Sequence, residues 1–228
     1  MGTRPGKSIT AISEDGESYY VTGIGTVTDF NIVIPLIYNN KPVIGISEKA
    51  FFGCNSLTDI TIPEGVTSIG NYAFYNCGSL TSIVIPDSVT SIGDYAFYNC
   101  GSLTSISIPN SVISIGHGAF SGCSSLTSVA IPEGVTNIGE YTFSDCSSLT
   151  SVSIPEGVAS IGLGSFKNCN NLNSIIIPSS VTQIMANAFY NLGGLSTIIC
   201  QAKNPPLIYS NTFSNQESCV LYVPEEAL

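Results

Sequence analysis

Positive charge is scarce in this chain: six Lys and Arg stand against sixteen Asp and Glu in 228 residues, a formal net charge of −10. Nucleic acid and anionic membrane surfaces are bound through clustered Lys and Arg, so neither is an expected partner. No apolar run approaches the ~18 residues of a membrane span, and no membrane insertion is expected. The opening stretch, Met1 to Glu17, lacks the apolar core of an export signal. Histidine occurs once, at His117, and there is no Cys-x-x-Cys, so neither a metal site nor a cofactor site is expected.

What the chain does have is a period. Cysteine recurs at Cys54, Cys77, Cys100, Cys123, Cys146 and Cys169, always 23 residues apart. Phenylalanine keeps the same step from Phe51 through Phe189, and leucine from Leu57 through Leu195. Several independent columns sharing one period define a repeat array. Each copy reads L-x-x-I-x-I-P-x-[GS]-V-x-x-I-G-x-x-A-F-x-x-C-x-x, as in Leu80 to Ser102.

Within a copy, Leu57, Ile60 and Ile62 alternate as in a half-buried strand, with Asp59 and Thr61 turned the other way. The proline column (Pro63, Pro86, Pro109, Pro132, Pro155, Pro178) removes a row of N–H donors and ends that strand. Val66 and Ile69 predict a second, shorter extended piece, closed by the Gly70 column in a turn with positive φ. Ala73, Phe74 and Cys77 fit a single helical or 3₁₀ turn. The expected fold is a solenoid of stacked 23-residue coils, with a main parallel sheet, a second short-strand sheet and short helical turns. About eight inward apolar groups per coil make a core only when coils stack.

This pattern resembles the BspA-like (treponemal-type) leucine-rich repeat family over roughly residues 30 to 224. The resemblance implies a right-handed leucine-rich-repeat solenoid in a secreted or surface-displayed protein. It also implies adhesion to a protein partner such as a host surface or matrix protein, without catalysis of its own. By that resemblance the chain would begin after an export signal had been removed; a natively cytosolic protein is the other reading. The ending LYVPEEAL is similar to the family's terminal motif, which usually runs on, so a cut carboxyl end is expected.

Along the chain, residues 1–16 are expected to be flexible and 17–56 to form a β-rich cap with a first degenerate coil. Regular coils follow over 57–194, and a degenerate, truncated coil over 195–228. Pro35 to Val43 carries extra length, assigned to a turn at Asn39-Asn40-Lys41. The seventh coil drifts, with Met185 for the turn glycine and Leu192 for cysteine.

The period-23 cysteines read as buried free thiols acting as small hydrophobes; Cys200 and Cys219, outside that column, are the better disulfide candidates. His117 shares its column with Asn71, Asp94, Glu140 and Leu163 and reads as a solvated loop residue rather than part of a triad. Glu64, Asp87, Glu133 and Glu156 form an acidic edge, solvated or attracting a cation such as Ca²⁺. Candidate binding surfaces are two. One is the open face of the main sheet, with Thr58, Thr81, Thr104, Thr127 and Thr150 beside Ser82, Ser105, Ser128 and Ser151. A third column there, Thr61, Val84, Ser107, Ala130, Ser153, Ile176 and Ile199, turns apolar toward the carboxyl end. The other surface is the opposite edge, with Tyr72, Tyr95 and Tyr141, joined by Tyr75 and Tyr98. A protein-binding adhesion module, a spacer projecting another domain, and a carbohydrate-binding module using the tyrosine edge all remain open.

Overall fold

In the computed structural model, which describes residues 10–12, 16–23, 31–209, 211–213 and 219–224, the repeats stack as coils of a solenoid. One row of strands precedes the prolines: Asn31–Val33, Asp59–Thr61, Ser82–Val84, Ser128–Ala130, Ser151–Ser153, Ser174–Ile177, Thr197–Cys200 and Val220–Tyr222. Where neighbours pair they run parallel and in register, so Asp59, Ile60 and Thr61 face Ser82, Ile83 and Val84. The row divides into three sheets, because Ser107 makes only a single bridge to Val84 and Ser151–Ser153 is not paired with Ser174–Ile177. The middle residue is buried and its flanks exposed in Asp59–Thr61 and Ser82–Val84, as alternation requires. A second row of two-residue strands runs from Ser68–Ile69 to Gln183–Ile184, with Ile69 facing Ile92 and Ile92 facing Ile115.

At the amino-terminal end Tyr19–Gly23 pairs parallel with Lys41–Ile46. Of the segment 1–16 expected to be flexible, the described Thr10–Ile12 is a strand, antiparallel to Tyr19–Gly23. The Thr22 hydroxyl donates to the Thr10 hydroxyl at 2.9 Å. This added strand covers a sheet edge that would otherwise be bare. The extra length after Pro35 forms a hairpin, Ile37–Tyr38 against Lys41–Pro42. Its two central residues, Asn39 and Asn40, have φ of 48° and 63°, the signature of a type I′ turn.

The core is a file of rings. Phe51, Phe74, Phe97, Phe120, Phe143, Phe166 and Phe189 are fully buried. Each stacks on the next at 5.0 to 5.6 Å with planes within 10°. Phe213 extends the file onto Phe189 at 5.1 Å. The cysteines do more than fill space. The thiols of Cys77, Cys100, Cys123, Cys146 and Cys169 donate to the carbonyls of Phe51, Phe74, Phe97, Phe120 and Phe143, one coil back, at 3.1 to 3.3 Å. The Phe51 carbonyl also accepts the Cys54 N–H, so both its lone pairs are used.

Three expectations are corrected. The Gly70 column does not have positive φ; glycine is needed there because the coils touch. A Cβ on Gly93 would lie 2.6 Å from the Asn71 nitrogen, and one on Gly116 2.4 Å from that of Asp94. Positive φ falls instead at Tyr72, Asn76, Tyr95 and Asn99. For the same reason no helix forms among the described residues. Left-handed residues at both ends of Ala73-Phe74-Tyr75 confine it to consecutive turns, such as Tyr75 N–H to the Tyr72 carbonyl. Cys200 and Cys219 are not bridged. Val220 pairs with Thr197, which sets Cys219 beside Ser196, four residues from Cys200. At about 3.3 Å per residue that is roughly 13 Å, well beyond the reach of a disulfide.

Within the second row one junction differs from the rest. Ser114–Ile115 is not paired with Asn137–Ile138, although the turn side stays bonded through Gly118 N–H to the Glu140 carbonyl and Phe120 N–H to that of Thr142. Thr142 stands here, buried, where Ala73, Ala96 and Ala119 stand in preceding coils. Its hydroxyl bonds the carbonyls of Gly139 (3.0 Å) and Gly116 (3.5 Å). Ser165 follows in the same column, fully buried, and its hydroxyl has no partner. An unpaired buried hydroxyl costs about 1–3 kcal/mol. Ser165→Ala is therefore expected to stabilise the protein by about 1 kcal/mol, seen as a higher urea midpoint at unchanged m-value.

Candidate functional site

On the open face of the main sheet the two hydroxyl columns behave differently. The Thr81, Thr127 and Thr150 hydroxyls donate to the carbonyls of Thr58, Thr104 and Thr127 in the preceding coil, at 3.0 to 3.3 Å. The Thr58 hydroxyl donates to Asn31 Oδ1 at 2.9 Å. Thr104 lies exposed in the same file. The Thr58, Thr81, Thr127 and Thr150 donors are occupied in tying coil to coil. Ser82, Ser105, Ser128 and Ser151 are exposed, and their side chains make no hydrogen bond among the described residues, so these hydroxyls face solvent. Beside it the third column bares Val33, Val84, Ile176 and Tyr222, with Val84 71% exposed.

The opposite edge carries two files of side chains. In one, Phe52 stacks on Tyr75 at 4.8 Å and Tyr75 on Tyr98 at 4.7 Å. Phe52, half exposed, was missed in the sequence, though its place in the Tyr75–Tyr98 column signalled it. In the other file Lys49 Nζ lies 5.4 Å from the centre of the Tyr72 ring, and Tyr72 stacks on Tyr95 at 5.3 Å. Tyr141 belongs to that file but makes no ring contact among the described residues. Tyr72, Tyr95 and Tyr141 have φ of 57°, 53° and 54°, a region bulky residues rarely occupy. Gly118 and Gly164 hold φ of 58° in the same column, so the coil, not the side chain, sets the conformation. Burial first, then Tyr72 and the carboxylates of Asp94 and Glu140, push the Tyr95 phenol above its ordinary value.

His117 is exposed, and its Nδ1 accepts the Glu140 N–H at 3.2 Å. Asp94 Oδ1 accepts the His117 N–H, and Asn71 Oδ1 the Asp94 N–H, each at 2.8 Å. The column is a run of coil-to-coil caps. In the acidic row, Glu156 accepts from the Ser179 N–H (3.1 Å), the Ser179 hydroxyl (3.0 Å) and the Ser180 N–H (3.2 Å). Those bonds, chiefly from the Ser179 backbone, lower its pKa. No group of three His, Cys, Asp or Glu among the described residues is placed to hold a metal ion.

At the carboxyl-terminal end a cavity of about 370 Å³ opens between Ile177, Ile198, Cys200, Phe213 and Leu221. Its described lining is apolar, and Leu221 is 60% exposed at a position where other coils bury isoleucine. It lies at the carboxyl-terminal end of the described core, and its described lining offers no convergent polar groups that could orient a small ligand. No helix of the described residues is long and apolar enough to cross a membrane.

The family described as BspA type leucine rich repeat region, in six copies, matches residues 31–146 and 90–220. The chain is similar to a solved leucine-rich repeat protein of T. pallidum, with 32% identity over 85% of this chain and 91% of that one, at a TM-score of 0.76. It is also similar to one from Bacteroides ovatus, with 28% identity over 96% and 76% of the two chains, at a TM-score of 0.68. No curated protein matches it.

Proposed function

The chain belongs to the BspA-type leucine-rich repeat family, and from that premise we propose that it is a protein-binding module of the adhesion type. It works at a cell surface or outside the cell, on a protein partner such as a host surface or matrix protein. The observation that carries this reading is the free file of Ser82, Ser105, Ser128 and Ser151 beside exposed Val84 and Ile176. A continuous strip of hydroxyls and methyls spanning many coils suits an extended protein surface, whereas a small molecule needs a concave pocket. Stacking leaves few tyrosine faces on the opposite edge open, which favours a protein there over a sugar ring that must lie flat on an aromatic. The spacer reading draws on the near-identity of the coils.

Deletion of whole coils separates the two readings. The parent is expected to bind immobilised host matrix protein in interferometry. At least one of the deletions 80–102 and 172–194, each keeping register and native circular dichroism, is expected to weaken that binding tenfold or more. Undiminished binding by both favours the spacer, and no binding by the parent overturns the adhesive reading.

A further inference from the structure

Lysines cover two tyrosine faces on this edge, and each comes from the residue one coil earlier. Lys49 sits over Tyr72, and Lys167 over Tyr190 at 5.7 Å. Other rings cover Tyr95, Tyr75 and Tyr98 in the same way. Tyr141 is the exception, because the residue one coil earlier is Gly118, which has no side chain. Tyr141 is accordingly 37% exposed. The Tyr95 ring lies against Gly118, its edge atoms 2.5 and 2.6 Å from where a Cβ would stand, and the Tyr141 ring lies against Gly164 at 2.7 and 2.8 Å. The two rings are therefore seated alike, two coils apart.

We propose that the gap left by Gly118 between the rings of Tyr95 and Tyr141 is a slot for an arginine side chain of a protein partner. This deepens the protein-binding reading and rests on it. Two coil steps are about 10 Å. A planar group midway would stand about 5 Å from each ring, within the usual range of aromatic stacking and close to the 5.3 Å of Tyr72 on Tyr95. Guanidinium is planar, stacks on aromatic faces and pairs with carboxylates in a fork, which an ammonium cannot do. Asp94 and Glu140, close enough to act on the Tyr95 phenol, supply the opposite charge, in a protein of net charge −10.

Backbone strain points the same way. Tyr141 holds a left-handed conformation that costs a non-glycine residue free energy. Tyr72 and Tyr95 have a stacked ring neighbour in that conformation; Tyr141 has no ring partner among the described residues. A ligand on its open face would supply one.

The test uses the full chain with ¹³C-labelled tyrosines and the peptide Ser-Gly-Arg-Gly-Ser, against its lysine twin at equal ionic strength. The arginine peptide is expected to shift the Tyr95 and Tyr141 ring signals and to bind at least fivefold more tightly than the lysine peptide. Gly118→Tyr puts in the slot a residue the same column already carries at this φ and moves the Tyr95 ring off the Cβ position it now crowds, and it should weaken arginine-peptide binding tenfold or more. Tyr141→Ala should do the same. Equal affinity for the two peptides, shifts confined to other tyrosines, or unchanged binding by Gly118→Tyr overturns the slot. If coil deletion abolishes matrix-protein binding while Gly118→Tyr leaves it intact, the slot fails and the adhesive reading stands.

Discussion

Replacing Phe120 by alanine is expected to cost about 3–5 kcal/mol, the range for removing a buried phenylalanine. Its ring is fully buried, with Phe97 at 5.3 Å on one face and Phe143 at 5.5 Å on the other. Both stacks are lost together, and the neighbouring rings are held in their own coils and cannot close the void. The site is also where the second strand row is interrupted between Ser114–Ile115 and Asn137–Ile138, so ring contact carries an unusual share of that junction. Since whole domains are stable by only about 5–15 kcal/mol, and repeat arrays hold together through nearest-neighbour interfaces, the variant should lose cooperativity as well. Urea unfolding followed by circular dichroism should show a lower midpoint and either two transitions or a reduced m-value. Phe52→Ala, at a half-exposed ring on the outer edge, should cost far less. A single transition for Phe120→Ala displaced by under about 1 kcal/mol would contradict the ring file as the structural spine.

Alkaline instability is the second large effect. Burial pushes the Cys100 and Cys146 thiols up to about 12 from an ordinary 9.0, and raises Cys77, Cys123 and Cys169 as well. In the folded chain these thiols stay neutral above pH 9, while in the unfolded chain they ionise. Their contribution is thus fully present below about pH 9 and is lost as the pH rises toward the folded values. Each thiol steepens the loss by up to about 1.4 kcal/mol per pH unit in that window, and five shifted in the same direction add to a steep fall. Urea midpoints should be flat from pH 7 to 8.5 and fall steeply from 9 to 10.5. The double variant Cys123→Ala/Cys146→Ala should lose about two fifths of the slope, which separates thiols from tyrosines. Stability unchanged through pH 10.5 would show that the thiols are not sequestered. At pH 8 a thiol reagent should modify the half-buried Cys54 and Cys219 well before the five.

Much of the solenoid is legible in the sequence because a period is a one-dimensional property. Once Phe74 and Phe97 share a column, stacking at one coil spacing follows, as do the alternation in Asp59–Thr61 and the register of Ile32 on Ile60. The Tyr72–Tyr95 and Tyr75–Tyr98 alignments were readable in the same way. What could not be read is how coils meet at their turns. Conserving glycine at Gly70, Gly93 and Gly116 within the array suggests a left-handed turn; contact with the preceding coil's backbone produces the same pattern without one. Hydroxyl columns are ambiguous for a similar reason. Thr81, just ahead of the strand, and Ser82, its first residue, are adjacent exposed hydroxyl residues, yet only the Thr81 side chain bonds back to the previous coil.

The repeat by itself determined the stacking axis, the identity of the core columns and the parallel pairing, because each follows from translating one coil by 23 residues. Only the tertiary structure decided which dihedrals are left-handed, which hydroxyls are spent between coils and which tyrosine face is bare. Those depend on distances of a few tenths of an ångström between side chains of adjacent coils, and a linear pattern carries no distances.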